Sequence, residues 1–151
     1  MRTIEVGEPR YEYTLKITEL TEYGVGLESL MAGVVASPPE GARFDVAFAG
    51  ASNGPKLKGK VTGVDYGRVR ADGRFQLHIH AAITTDDGQT ISLHADGVAL
   101  PRAGSSIADL RENVTLSTSS KNYTWVNPLQ IWGLGTVDLA EQVIQVKGYS
   151  A

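Results

Sequence analysis

The stretch Phe75–Asp96, FQLHIHAAITTDDGQTISLHAD, decides the fold of this chain. It reads as two strands joined at Asp86-Asp87-Gly88, with Gly88 free to take positive φ in a three-residue hairpin loop closed by a bulge. That loop length sets Ile83 opposite Ile91, Ala81 opposite Leu93, Ile79 opposite Ala95, His80 opposite His94 and His78 opposite Asp96. A two-residue loop at Asp87-Gly88 pairs Ile83 with Ser92 and mixes the faces. Register follows the buried face, so the first pairing is preferred. One face of the hairpin is then Phe75, Leu77, Ile79, Ala81, Ile83, Ile91, Leu93 and Ala95. The other carries Gln76, His78, His80, Ser92, His94 and Asp96. The chain has 3 histidines, and all fall on that second face.

Outward from the hairpin, short alternating segments continue. Residues 1–9 read as a flexible lead. Tyr11–Thr18 sets Tyr11, Tyr13, Leu15 and Ile17 on one face of a half-buried strand. Gly24, Gly26 and Gly33 argue against a helix over 22–35, so a loop leading into a strand at Met31–Ala36 is expected. Phe44, Val46 and Phe48 alternate within Arg43–Ala49. Leu57–Arg70 is a long strand with Leu57, Val61, Asp65 and Val69 on one face, bent at one of its glycines. Ser105–Glu112 is the helix candidate: Ser106 can cap it, and Ile107, Leu110 and Val114 have helical spacing. Val114–Thr118, Tyr123–Asn127, Leu129–Val137 and Val143–Tyr149 read as further strands. About eight strands, regular turn signals and no βαβ period argue for an all-β sandwich or barrel. A single closed antiparallel up-and-down β-barrel is the expected form, with one short helix. A barrel of about eight strands can hold one small ligand.

Composition narrows the function. The 151 residues are enough for one domain with a real core, and 42% hydrophobic with 21% charged residues suits a globular protein. A net charge of −3 gives no basic footprint for nucleic acid. The absence of cysteine excludes disulfides, thiolate metal sites and cysteine nucleophiles. No apolar run approaches the roughly 20 residues of a membrane helix, and the first residues lack a signal-peptide core, so a cytoplasmic protein is expected. Asn113-Val114-Thr115 and Asn122-Tyr123-Thr124 are then chance matches to the glycosylation pattern. There is no phosphate loop, no dinucleotide fingerprint and no Gly-x-Ser-x-Gly elbow. Nucleotide cofactors and serine hydrolase chemistry are not expected, and no cofactor is invoked.

Short motifs fall in order along the chain: Gly54-Pro55-Lys56-Leu57-Lys58-Gly59, Gly63-Val64-Asp65-Tyr66, Val69-Arg70-Ala71-Asp72-Gly73, Thr85-Asp86-Asp87-Gly88, Gly97-Val98, Tyr123-Thr124-Trp125-Val126-Asn127 and Gly133-Leu134-Gly135. With these the chain resembles the bacterial domain-of-unknown-function 3237 family over roughly Phe44–Tyr149. The resemblance implies a lipocalin-like or allene-oxide-cyclase-like barrel and no particular activity. Members commonly carry an acidic residue and an arginine where this chain has His78 and His80, which implies a different ligand here.

Three constellations are candidates for chemistry. His78 and His80 with His94 across the hairpin form a set that zinc can use, leaving a fourth position for water. With Asp96 the same imidazoles form an acid/base cluster. The alternative is an ordinary solvent face. Asp65 is a carboxylate on an otherwise apolar face, where burial raises its pKa and suits it to proton transfer. The alternative is a hydrogen-bonded structural aspartate. Tyr123, Trp125 and Asn127, with Trp132 and Tyr13, can line a small aromatic pocket or simply fill core. The expectation is a cofactor-independent enzyme moving protons on an apolar or aromatic metabolite, as a lyase, hydratase, isomerase or cyclase. A non-catalytic carrier of hydrophobic ligands and a histidine-ligated metalloprotein are the rivals. A homodimer or higher homo-oligomer is expected. If Phe75, Leu77 and Ile79 point inward, the histidines face out, and Asp65 with the Tyr123–Asn127 segment inherits the site.

Overall fold

The computed structural model describes residues 7–151. Eight strands close into one antiparallel up-and-down barrel: β1 Glu8–Glu22, β2 Ala42–Pro55, β3 Lys58–Val69, β4 Phe75–Thr85, β5 Thr90–Pro101, β6 Ile107–Ser117, β7 Ile131–Asp138 and β8 Val143–Ser150. Each strand pairs with its sequence neighbours, and β1 also pairs with β8 to close the wall. The expected hairpin register holds at every position named above, including Ile83 with Ile91, His80 with His94 and His78 with Asp96. Its closing pair is Thr85 and Gln89, with Gly88 at φ 88°. The three-residue loop therefore fixes which residues of β4 and β5 share a face.

That face points inward. Leu77, Ile79, Ile83, Ile91, Leu93 and Ala95 are buried and join Tyr11, Tyr13, Leu15, Phe48, Val61 and Val114 in one core. Closure removes every sheet edge, so the alternation along each strand sorts side chains into lumen and solvent with no third choice.

Four segments differ from their sequence reading. Over 105–112 there is no helix: Ile107–Ser117 is one strand, β6, paired on both sides. Its inner residues, Ala108, Leu110, Glu112, Val114 and Leu116, alternate with period two, and the polar Glu112 in that row masked the pattern. The strand expected at Met31–Ala36 is absent; helix α1, Leu27–Met31, precedes that span instead. Its Leu27 N–H donates to Glu22 Oε2 (2.6 Å). Leu27 and Leu30 bury against Ala42, Phe44 and Val69 at one mouth of the barrel, which outweighs the weak local propensity. Tyr123–Asn127 is not a strand. A 3-10 helix spans Lys121–Val126, and Asn127 exchanges two 2.9 Å hydrogen bonds with the Thr118 backbone. Val126 is buried under the opposite end of the barrel. The expected lead over 1–9 falls mostly outside the described residues; within them, Glu8 and Pro9 already pair with β8. Among the described residues no helix is long and apolar enough to cross a membrane.

Candidate active site in the barrel lumen

One row across the sheet determines the site. Following the pairing, Leu77 on β4 faces Gly97 on β5, Gly97 faces Glu112 on β6, Glu112 faces Gly133 on β7, Gly133 faces Gly148 on β8, and Gly148 faces Tyr11 on β1. Three of these six residues are glycine; Gly133 leaves space beside the Glu112 side chain and Gly148 leaves space for the Tyr11 ring. A Cβ on Gly133 falls 3.1 Å from Glu112 Cβ, and one on Gly148 falls 2.4 Å from the Tyr11 ring. The glycines thus admit a long acid and a phenol where a regular row has branched side chains.

Glu112 is 1% exposed. Its Oε1 has no hydrogen-bond partner among the described residues, nor does the Tyr11 hydroxyl. An unpaired polar atom in an apolar lumen is costly unless a ligand or water satisfies it. Burial pushes the Glu112 carboxyl from 4.5 up to about 8; the negative charge of Asp65 adds to the rise, and the Tyr13 hydroxyl works the other way. Tyr11 and Tyr13, stacked with ring centroids 5.5 Å apart, are held well above the ordinary phenol value by burial and then by Glu112.

Asp65 enters from β3. It pairs with Ile79, and the β3–β4 ladder then skips Tyr66 and Gly67 before resuming at Arg68–Gln76. At that gap the Asp65 carboxylate takes over a ladder bond: the His78 N–H donates to Asp65 Oδ1 at 2.8 Å. The aspartate is therefore both structural and chemically placed. Burial pushes its carboxyl from 3.8 up to about 6, against the pull of the His78 N–H. Burial raises both carboxyls, and Glu112 further than Asp65, so Glu112 keeps its proton to higher pH than Asp65 does. Two carboxyls whose surroundings push them apart in this way can act as a proton acceptor and a proton donor.

Both acids line one cavity of about 90 Å³, whose other walls include Tyr13, Phe44, Phe48, Leu77, Ile79 and Leu110. Leu27 and Met31 of α1 line it as well. The space accepts a few heavy atoms as it stands, well short of the roughly 300 Å³ of a drug-sized ligand site.

Of the residues singled out in the sequence, Asp65 and Tyr13 reach this cavity. His78, His80 and His94 cluster on the outer wall, where His78 and His80 are exposed and His94 is partly buried. Asp96 is outside as well, accepting from Asn113 Nδ2 at 3.1 Å. The conditional reading of the hairpin thus resolves toward the apolar lumen, because the pairing that gathers the histidines also turns them outward. The aromatic set is displaced too. Tyr123 donates to Asp87 at the hairpin loop (2.9 Å), Asn127 serves Thr118, and Trp125 and Trp132 are exposed. None of these four lines the cavity. Glu112 escaped the sequence reading because Ser105–Glu112 read as a helix, in which its phase carries no meaning. Its alternation with Leu110 and Val114 was the available signal.

Comparison with known proteins agrees with this architecture. No curated protein matches the chain. A protein of unknown function from Clostridium acetobutylicum is similar in structure, with a TM-score of 0.77 and 22% identity over 95% of this chain and 97% of that one. A β-barrel-like protein from Acinetobacter baumannii has a TM-score of 0.70 and 20% identity over 94% and 92% of the two chains. An enzyme from Penicillium herquei has a TM-score of 0.59 and 18% identity over 98% of both. At these identities the likeness is one of fold. The sequence profile of the proteins of unknown function called DUF3237 matches residues 35–150, and the chain belongs to that family.

Proposed function

We propose that this protein is a cofactor-independent enzyme that moves a proton on a small apolar or aromatic molecule held in the barrel, as a lyase, hydratase, isomerase or cyclase does. Ionised Asp65 takes the proton and protonated Glu112 delivers one, while the Tyr13 hydroxyl hydrogen-bonds the reacting oxygen. The observation that carries this reading is that two buried carboxyls, Asp65 and Glu112, line one apolar cavity, where burial raises both and Glu112 further than Asp65. General acid–base catalysis works best when donor and acceptor titrate near the working pH. The low dielectric of the lumen strengthens each charge–dipole contact made there. That an enzyme from Penicillium herquei has this kind of barrel makes catalysis on such a scaffold reasonable, though fold alone assigns no reaction.

The test is untargeted. Wild-type protein, Asp65→Asn, Glu112→Gln and a His78→Ala, His80→Ala double variant are each incubated with a fractionated bacterial metabolite extract, and products are followed by mass spectrometry. Conversion is expected from wild type and the histidine variant, with a loss of at least about 100-fold in each carboxyl variant. Equal conversion by Glu112→Gln and wild type contradicts the assignment. Saturable binding without turnover in the wild type makes the protein a carrier.

A further inference from the structure

The histidine cluster lies outside the proposed reaction, yet its geometry is specific. His78 and His80 stand on the outer face of β4, and His94 stands opposite His80 on β5. The three ring centroids are 5.0, 5.4 and 4.8 Å apart. His80 Nε2 and His78 Nε2 are 3.2 Å apart, and one ring nitrogen from each of the three lies within 4.8 Å of the others.

We propose that His78, His80 and His94 bind one divalent transition ion of the zinc class on the outer wall of the barrel, with water at the fourth position. Zinc–nitrogen bonds of about 2.0–2.1 Å at tetrahedral angles put ligand nitrogens about 3.4 Å apart and imidazole centroids about 5 Å apart. The His78–His80 nitrogens already have that spacing, and all three centroid distances bracket it. The wider nitrogen pair closes by rotation of one imidazole about its last torsion, a soft degree of freedom for an exposed ring. An all-nitrogen donor set favours zinc, nickel or copper(II) over calcium or magnesium, which take oxygen.

The surroundings suit such a site. Asp96 is the cross-strand partner of His78 and puts a carboxylate next to the cluster. Tyr66 meets His80 edge-on at 6.0 Å. The ion ties β4 to β5 and stays apart from the lumen, because Leu77 and Ile79, between and beside the histidines on β4, point the other way. The inference rests on this outer geometry alone and is independent of the lumen reading.

The experiment is calorimetric titration of zinc chloride into tag-free, EDTA-treated protein near neutral pH. One ion per chain is expected, with an affinity that falls at least about 30-fold in both His80→Ala and His94→Ala. In wild type the melting temperature rises by about 5 °C or more at zinc 100-fold above Kd, and the rise vanishes in both variants. Cobalt(II) in place of zinc shows the strong visible bands of four-coordinate metal. Because all three side chains sit on the wall's outer side, the variants keep the fold, and circular dichroism verifies this. No saturable binding below about 100 µM overturns the proposal, as does undiminished binding by the His80→Ala, His94→Ala double variant.

Discussion

Replacing Glu112 by glutamine isolates the cost of its charge. In the unfolded chain the carboxyl titrates near 4.5, and in the barrel burial raises it to about 8. Between those values the folded state holds a proton that the unfolded state has lost, so stability must fall as pH rises through this window. The gap converts, at about 1.4 kcal/mol per pH unit, to at most about 5 kcal/mol. For a chain of this size that is a drop in melting temperature of about 10–20 °C between pH 4.5 and 8. Asp65 adds a smaller fall in the same direction, between its ordinary 3.8 and about 6. Glutamine matches the shape of glutamate and never ionises. The Glu112→Gln variant is therefore expected to be nearly flat above pH 6, and more stable than wild type at pH 8. Thermal melts from pH 4.5 to 8.5, followed by circular dichroism, measure both slopes. Parallel profiles for the two proteins above pH 6 refute the reasoning, because they mean that Glu112 is not the buried proton donor.

Other perturbations probe the same row and its walls. Gly148→Ala puts a methyl 2.4 Å from the Tyr11 ring and is expected to cost about 1–3 kcal/mol by urea denaturation. Tyr11→Phe removes a buried hydroxyl without a partner and should leave stability unchanged or raise it by up to about 1 kcal/mol, read from the same midpoint. Ile79→Ala empties a core position at a cost of about 2–5 kcal/mol, whereas His80→Ala, one residue along and facing solvent, stays within about 0.5 kcal/mol in metal-free buffer. Met31→Ala in α1 widens the mouth, and faster uptake of an apolar fluorescent probe by stopped flow is the expected result.

The hairpin was the most legible part of the chain because two independent signals coincide there. Turn chemistry at Asp86-Asp87-Gly88 and the apolar alternation of Leu77, Ile79, Ile83, Ile91 and Leu93 allow a single register. Alternation of the same kind made β1, β2 and β3 readable, and about eight strand segments with regular turn signals close most simply as a barrel. The candidate site was harder to read because polar groups in the lumen break the patterns by which strands are found. Asp65 was visible because the apolar residues around it stayed in phase. Glu112 was not, because Ile107, Leu110 and Val114 also fit a helix, and a local pattern carries no information about pairing with β5 and β7. Glycines quoted in the family motifs, Gly97 and Gly133, have a physical role that emerges only in the closed sheet, where they flank Glu112. The histidines show the converse. Their grouping followed from register alone, but their direction depended on which face the barrel encloses.

The central claim is that Glu112 is a proton-carrying acid inside the lumen at neutral pH. A carbon-13 NMR titration of the Glu112 side-chain carboxyl, assigned by its loss in Glu112→Gln, tests this most directly. The expected result is a single inflection near 8 and a carboxyl that is still mostly protonated at pH 7. An inflection near 4.5 contradicts the claim and removes Glu112 from any role as a proton donor.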